Sequence, residues 1–208
     1  MDSLLVRYLK KVVTPVKSFL TVLNSLRYRL IIRVLYPHVR LGRGFMVYGK
    51  LHLSVGKNSK VYIGDYVTIR SSTKYNYVGI NRPTSICVVP DAELYIGNFT
   101  GLSGAAIYAS NKIRIGDYCN IGGNVSIWDT DFHPIDFKIR RDSLEGTVTR
   151  PVIIGDDVFL GANSLVIKGV TIGDRAIIGA GSVVSKDIPT AEIWAGNPAK
   201  YVKGLKND

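Results

Sequence analysis

IGDDVF, LGANSL, VIKGVT, IGDRAI, IGAGSV and VSKDIP follow one another without a gap from Ile154 to Pro189. Ile154, Leu160, Val166, Ile172, Ile178 and Val184 therefore recur every six residues. Six is neither the helix period nor the alternation of a strand. It fits a short strand plus a tight turn, with one aliphatic side chain per repeat pointing inward. Three such repeats, about 18 residues, close one triangular coil of a parallel β-helix, and stacked coils bury the aliphatic column while their backbones pair. A second small residue per repeat, at Cys119, Val125, Ser164, Val170, Ala176 and Ser182, suits a narrow interior. Glycine after the aliphatic residue relaxes the steric limits at the turn.

Upstream, IGDYCN and IGGNVS run from Ile115 into Ile127, and gapped copies stand at Ile63-Gly64, Ile69, Ile96-Gly97 and Leu102. Two stretches break the register. Residues 128–151 (WDTDFHPIDFKIRRDSLEGTVTRP) hold no aliphatic repeat and must loop out of the coil, and residues 70–90 distort the early coils. Function concentrates on loops held by a rigid scaffold, so the 128–151 excursion is where chemistry is expected.

The chain has 208 residues, 46% hydrophobic and 21% charged, which suits one ordered domain and excludes a disordered chain. Two cysteines, Cys87 and Cys119, make no disulfide scaffold. Of the net charge of +11, residues 1–50 carry ten bases against the single acid Asp2. Such a patch attracts phosphates of lipid headgroups, nucleotides or nucleic acid. No nucleic-acid recognition motif accompanies it, so no nucleic-acid partner is expected. Residues 16–35 place Phe19, Val22, Leu23, Leu26, Leu30 and Val34 at helical spacing, with Lys17, Thr21, Asn24 and Ser25 opposite. Two compatible readings stay open: a helix capping the end of the solenoid, and a basic helix on an anionic membrane. The expected organisation is a basic helical segment over 1–36, a β-helix over 37–203, and a short C-terminal tail over 189–208. No apolar run is long enough to span a membrane, and no cleavable leader pattern stands at the start. The expectation is a cytoplasmic protein, peripheral at the inner face of the cell membrane if the helix binds lipid.

The stretch from Pro151 to Lys203, with DTDFHPID before it and AGNPAK near its end, resembles the closing coils of the maltose and galactoside O-acetyltransferase group. Within that group it is similar to the acetyltransferases of capsule, lipopolysaccharide and exopolysaccharide clusters. The resemblance is close over 95–203 and loose before. It implies a left-handed coil, a homotrimer, acetyl-CoA as co-substrate without a metal, and active sites in clefts between subunits. His133 falls on the family's catalytic histidine. Ala162, after Gly161, falls where a backbone amide faces the thioester, and Ala180 on a CoA-contacting position. Ser185 and Lys186 match the pair near the nucleotide end of CoA, and Lys200 and Lys203 match basic residues at its phosphates. The acceptor-side asparagine of the sugar enzymes has no counterpart near Leu102-Ser103-Gly104, and the aromatic before the CoA coil is Phe159.

Acyl transfer to a hydroxyl needs a base, an oxyanion donor and two substrates held together. Among His38, His52 and His133, only the last lies in the excursion, within Asp129-x-Asp131-x-His133. Asp131 is expected to orient its imidazole, as a carboxylate fixes a tautomer. Cys119, at an interior position, reads as core rather than nucleophile. The expected function is O-acetylation of a sugar hydroxyl of a surface polysaccharide or its lipid-linked precursor. The alternative is N-acetylation of an amino-sugar nucleotide. A zinc hydratase on this fold needs three matched histidines, which the scattered three do not supply.

Overall fold

The computed structural model describes residues 4–205, with side chains from residue 18 onward. The basic side chains of Arg7, Lys10, Lys11 and Lys17, which the sequence reading weighed, lie outside the described side chains. Helix α1 (Leu4–Leu35) precedes β1 (Arg40–Leu41), β2 (Met46–Gly49), β3 (Leu51–Val55), β4 (Lys60–Ile63) and β5 (Thr68–Ser71). After a break come β6 (Thr84–Val88), β7 (Glu93–Ile96), β8 (Gly101–Ser103), β9 (Ala106–Ala109), β10 (Lys112–Ile115), β11 (Asn120–Gly123) and β12 (Ser126–Trp128). The second break holds α2 (Phe137–Asp142). Beyond it lie β13 (Val152–Ile154), β14 (Phe159–Leu160), β15 (Leu165–Val166), β16 (Thr171–Ile172), β17 (Ile177–Ile178), β18 (Val183–Val184), β19 (Glu192–Ala195) and β20 (Lys200–Gly204).

Every third strand pairs in parallel, which is a left-handed parallel β-helix of triangular section. The first sheet runs β1-β4-β7-β10-β13-β16, the second starts β2-β5-β8-β11-β14-β17, and the third runs β3-β6-β9-β12-β15-β18. Rung registers superpose the aliphatic residues: Ile63 pairs with Ile96, Ile96 with Ile115, Ile115 with Ile154, and Ile154 with Ile172. All five are fully buried. Each such side chain contributes roughly 1.5–3 kcal/mol of transfer free energy, so the repeat is also the source of stability. Cys119, Val125, Ser164, Val170, Ala176 and Ser182 fill the same interior and are buried.

The recurring Ile-Gly-Asp triplet works differently from a simple turn relaxer. The Asp117, Asp156 and Asp174 carboxylates form a ladder up one corner. Asn98 N–H donates to Asp117 at 2.7 Å, Asp117 N–H to Asp156 at 2.8 Å, and Asp156 N–H to Asp174 at 2.9 Å. A Cβ on Gly116 would meet the Asp156 oxygen at 2.3 Å. Glycine is needed there for close approach between coils. The left-handed backbone falls two residues later, at Tyr66, Phe99, Tyr118, Asp157 and Arg175.

The N-terminal helix lies across the open end of the coil, but with its polar side inward. The first coil's strands carry unpaired backbone groups that need partners. Asn24 Nδ2 donates to the Val47 and Gly49 carbonyls at 2.9 Å, Val47 N–H to Ser25 Oγ at 2.9 Å, Leu51 N–H to the Tyr28 hydroxyl at 2.9 Å, and Arg29 to the Gly42 carbonyl at 3.0 Å. Thr21, Ser25 and Ile32 are buried, while the apolar stripe read from the sequence faces away from the protein. The segment beyond residue 189 also does more than trail: β19 adds a parallel rung to β17, and β20 turns back antiparallel on β19.

Candidate active site

The 129–151 excursion leaves the third sheet at the end of β12 and re-enters the first sheet at β13. Its base is tied by Arg150 N–H to the Asp129 carbonyl at 2.9 Å and by an antiparallel bridge between Thr130 and Thr149. Asp129 is fully buried, and its carboxylate accepts from the Ser110 N–H at 2.6 Å and the Asn111 N–H at 2.7 Å. Burial pushes that carboxyl above its ordinary range, and the backbone donors oppose the rise. Asp129 is therefore an anchor of the loop. Phe132, in left-handed backbone, wedges against Tyr108 and Trp128 with centroids at 4.9 and 5.4 Å. Pro134 is buried, and between these two fixed residues the His133 ring stands exposed, with no hydrogen bond to it among the described residues.

Asp131 does not orient His133. Its carboxylate forms an ion pair with Lys168 at 2.6 Å, one coil further on. Residues two apart share a face in extended backbone, but the left-handed Phe132 between them breaks that alternation, and Lys168 takes the carboxylate. Arg140 donates to the Pro134 and Ile135 carbonyls at 3.2 Å, and Arg141 packs over the Phe137 ring at 5.2 Å. Both brace the loop.

The remaining expected site residues fall on the two edges of the third sheet. On the entry edge, where the second sheet turns into the third, lie Gly161 and Ala162 and, one coil on, Ala180. Lys200 follows on that edge, because Ala199 N–H donates to the Val183 carbonyl at 2.8 Å. Lys203 sits on β20 opposite Ile193. The neighbouring turn amides bond between coils: Asn163 N–H reaches the Gly123 carbonyl at 2.7 Å and Gly181 N–H the Ala162 carbonyl at 2.8 Å. Among the described residues the Ala162 N–H has no protein acceptor. On the exit edge stand the His133 loop, Lys168, and the exposed Ser185 and Lys186. One chain thus carries the imidazole and the free amide on opposite edges of the same sheet.

The sequence reading missed the second piece of the entry edge. Residues 72–83 leave β5 and lie down over the next two turns toward Ala162. Arg82 pins them, donating to the Asn124 carbonyl at 2.7 Å, the Ser126 hydroxyl at 2.8 Å and the Gly104 carbonyl at 3.3 Å. Asn81 N–H donates to Asn124 Oδ1 at 2.9 Å. A Cβ on Gly123 would meet Val78 at 2.7 Å, and one on Gly104 would meet the Arg82 carbonyl at 2.9 Å. The second glycine of Gly122-Gly123, outside the repeat pattern, was the available signal. Beside this loop a cleft of about 410 Å³ is lined by Arg70, Asn76, Val78, Ser103, Asn120 and Phe159. Tyr77, between the lining residues Asn76 and Val78, is 93% exposed. A larger hollow of about 700 Å³ crosses the outer face of the first sheet around Tyr62, Tyr95 and Arg114, away from both edges.

Cys119 is buried, and burial pushes its thiol up to about 11, which removes it as a nucleophile at neutral pH. Among the described residues no cluster of His, Cys, Asp or Glu suits a metal, and no helix is long and apolar enough to cross a membrane.

Coil and edges together define a hexapeptide-repeat β-helix protein. Residues 151–186 match the family model described as hexapeptide repeat of succinyl-transferase. A Saccharomyces cerevisiae protein named as an acetyltransferase is 42% identical over 115 residues, which is 55% of this chain and 57% of that one. A maltose O-acetyltransferase from Clostridium difficile superposes with a TM-score of 0.54 at 28% identity, over 81% of this chain and 70% of that chain. A hexapeptide-repeat acetyltransferase from Vibrio cholerae, complexed with acetyl coenzyme A, gives 0.60 at 24% identity, over 99% and 92%, and speaks for the fold. The chain is thus similar to hexapeptide-repeat acetyltransferases, most directly over the closing coils that the repeat model matches. It spans about half the length of the curated relatives it matches.

Proposed function

We propose that this protein, as a homotrimer at the cytoplasmic face of the membrane, transfers the acetyl group of acetyl-CoA to a hydroxyl of a surface-polysaccharide sugar or its lipid-linked precursor. The observation that carries the reading is the placement of the exposed His133 and the free Ala162 amide on opposite edges of one sheet. Three such chains arranged around an axis bring the exit edge of one against the entry edge of the next.

In that cleft the CoA thioester lies along Ala162 and Ala180, with Lys200 and the neighbour's Ser185 and Lys186 toward its phosphates. The His133 imidazole accepts the acceptor's hydroxyl proton as the oxygen attacks the thioester carbon. The Ala162 N–H stabilises the oxyanion, a contribution of about 3 kcal/mol for one preorganised donor. Collapse expels the CoA thiolate, which takes the proton from the imidazolium. No acyl-enzyme forms. The test is thiol release from acetyl-CoA with panels of hydroxy sugars, amino sugars and their nucleotides. Turnover with a hydroxy sugar is expected, and turnover confined to amino-sugar nucleotides moves the reading to N-acetylation. No turnover with any member overturns it.

The 72–83 loop stands at the acceptor end of the cleft. Tyr77 offers an exposed aromatic face to a sugar ring, and its exposure makes it replaceable without cost to the fold. Tyr77→Ala is expected to raise the acceptor KM about tenfold, the loss of one good stacking contact, with the acetyl-CoA KM unchanged. Steady-state kinetics with each substrate varied in turn reads both.

A further inference from the structure

The inverted helix leaves a surface that the solenoid does not use. Phe19, Val22, Leu23, Leu26, Leu30 and Val34 form one stripe along the outer side of α1, each between 44% and 66% exposed. An exposed apolar stripe of this length is unusual on a soluble surface and marks a docking face. Arg27 and Arg33 flank it, both exposed.

The charge of the helix selects the occupant. Leu4–Leu35 contains seven bases and not one Asp or Glu. Packing this stripe on the same stripe of a second copy would bring arginines against arginines, with no acid on the helix to pair them. Like charges so placed oppose association. An anionic lipid surface answers both features at once: acyl chains take the stripe, and headgroup phosphates take the bases, at roughly 1 kcal/mol per base near the surface.

We propose that α1 docks the protein flat on an anionic bilayer, with the β-helix standing up from the membrane on its N-terminal end. This surface is independent of the acetyl-transfer chemistry. Combined with that reading, it narrows the acceptor. Four coil spacings separate β2 from β14, so the cleft lies about 20 Å above the helix. That height matches a saccharide carried on a lipid-linked phosphate better than a group at the bilayer surface.

The test is flotation of the full chain with vesicles of phosphatidylcholine, with and without about 30 mol% phosphatidylglycerol. Binding is expected only to the anionic vesicles and should weaken with salt. Leu26→Glu with Leu30→Glu is expected to lower partitioning at least about tenfold. Both side chains already face outward, so an unchanged melting temperature and unchanged turnover of a water-soluble acceptor establish that fold and chemistry are intact. Equal flotation of the doubly substituted chain, or no flotation of the wild type, overturns the proposal. Dissociation of a lipid-free assembly on substitution, without vesicle binding by the wild type, overturns it in favour of a second copy.

Discussion

His133→Ala is expected to lower acetyl-CoA-dependent turnover at least about 100-fold, the ordinary loss on removing a general base. The acetyl-CoA KM is expected to stay near the wild-type value, because in the proposed cleft the thioester and phosphate contacts fall to Ala162, Ala180 and the lysines. The expectation is sharp because the substitution is structurally quiet. The His133 ring is exposed and makes no protein hydrogen bond, while the loop is held on either side by Asp129, Arg150, Phe132 and the buried Pro134. Exposed replacements of this kind usually change stability by less than about 0.5 kcal/mol. Thiol release followed at saturating acetyl-CoA, alongside a thermal melt, separates chemistry from folding. A drop smaller than about tenfold with an unchanged melt would remove the imidazole from the reaction.

How much of this could be read beforehand depends on what each residue answers to. Ile154 to Val184 was legible because a stacked coil repeats one environment, so each inward position makes the same demand. The earlier coils were harder, since the excursion at 72–83 resets the spacing while the rungs beneath it stay in register, as Ile69 pairing with Leu102 demonstrates. The orientation of α1 could not be read from its periodicity. An apolar stripe is ordinarily assigned to the core, but the end of a β-helix presents backbone amides and carbonyls, and these select Asn24, Ser25, Tyr28 and Arg29. Lys60 and Lys112 flanking Glu93 on the first sheet carry a similar lesson. A charged residue at a strand position belongs to the outer face, where ion pairs settle it.

Near the candidate site the same distinction holds. The placement of His133 on the excursion was legible because it is the only histidine in that stretch, and the structure leaves it exposed there. Asp131 was misplaced because sequence nearness measures chain separation rather than direction. Its partner, Lys168, is 37 residues away and is reached only because the next coil passes beneath the loop. The break over 70–90 was legible but its reach over the entry edge was not, for a related reason: its anchor Gly104 lies one coil on, and Asn124 and Ser126 lie two coils on.

Chains carrying His133→Ala and chains carrying Ala162→Tyr, each expected to be nearly inactive alone, should regain about a third of wild-type turnover when co-purified as mixed trimers. The argument rests on the two edges. Ala162→Tyr fills the entry-edge cleft with a ring and leaves the exit-edge histidine untouched, whereas His133→Ala does the reverse. If each site joins the exit edge of one chain to the entry edge of its neighbour, any ring of two chain types has one junction at which both halves are native. If both halves came from the same chain, every chain would carry a defect and no mixture would recover. Co-expression with two different affinity tags, followed by tandem purification, isolates the mixed species, and thiol release measures them. Recovery from about 1% to about a third of the wild-type rate corresponds to roughly 2 kcal/mol in barrier, far outside assay error. Mixed trimers no more active than either parent would place the imidazole and the oxyanion donor within one chain and overturn the shared cleft.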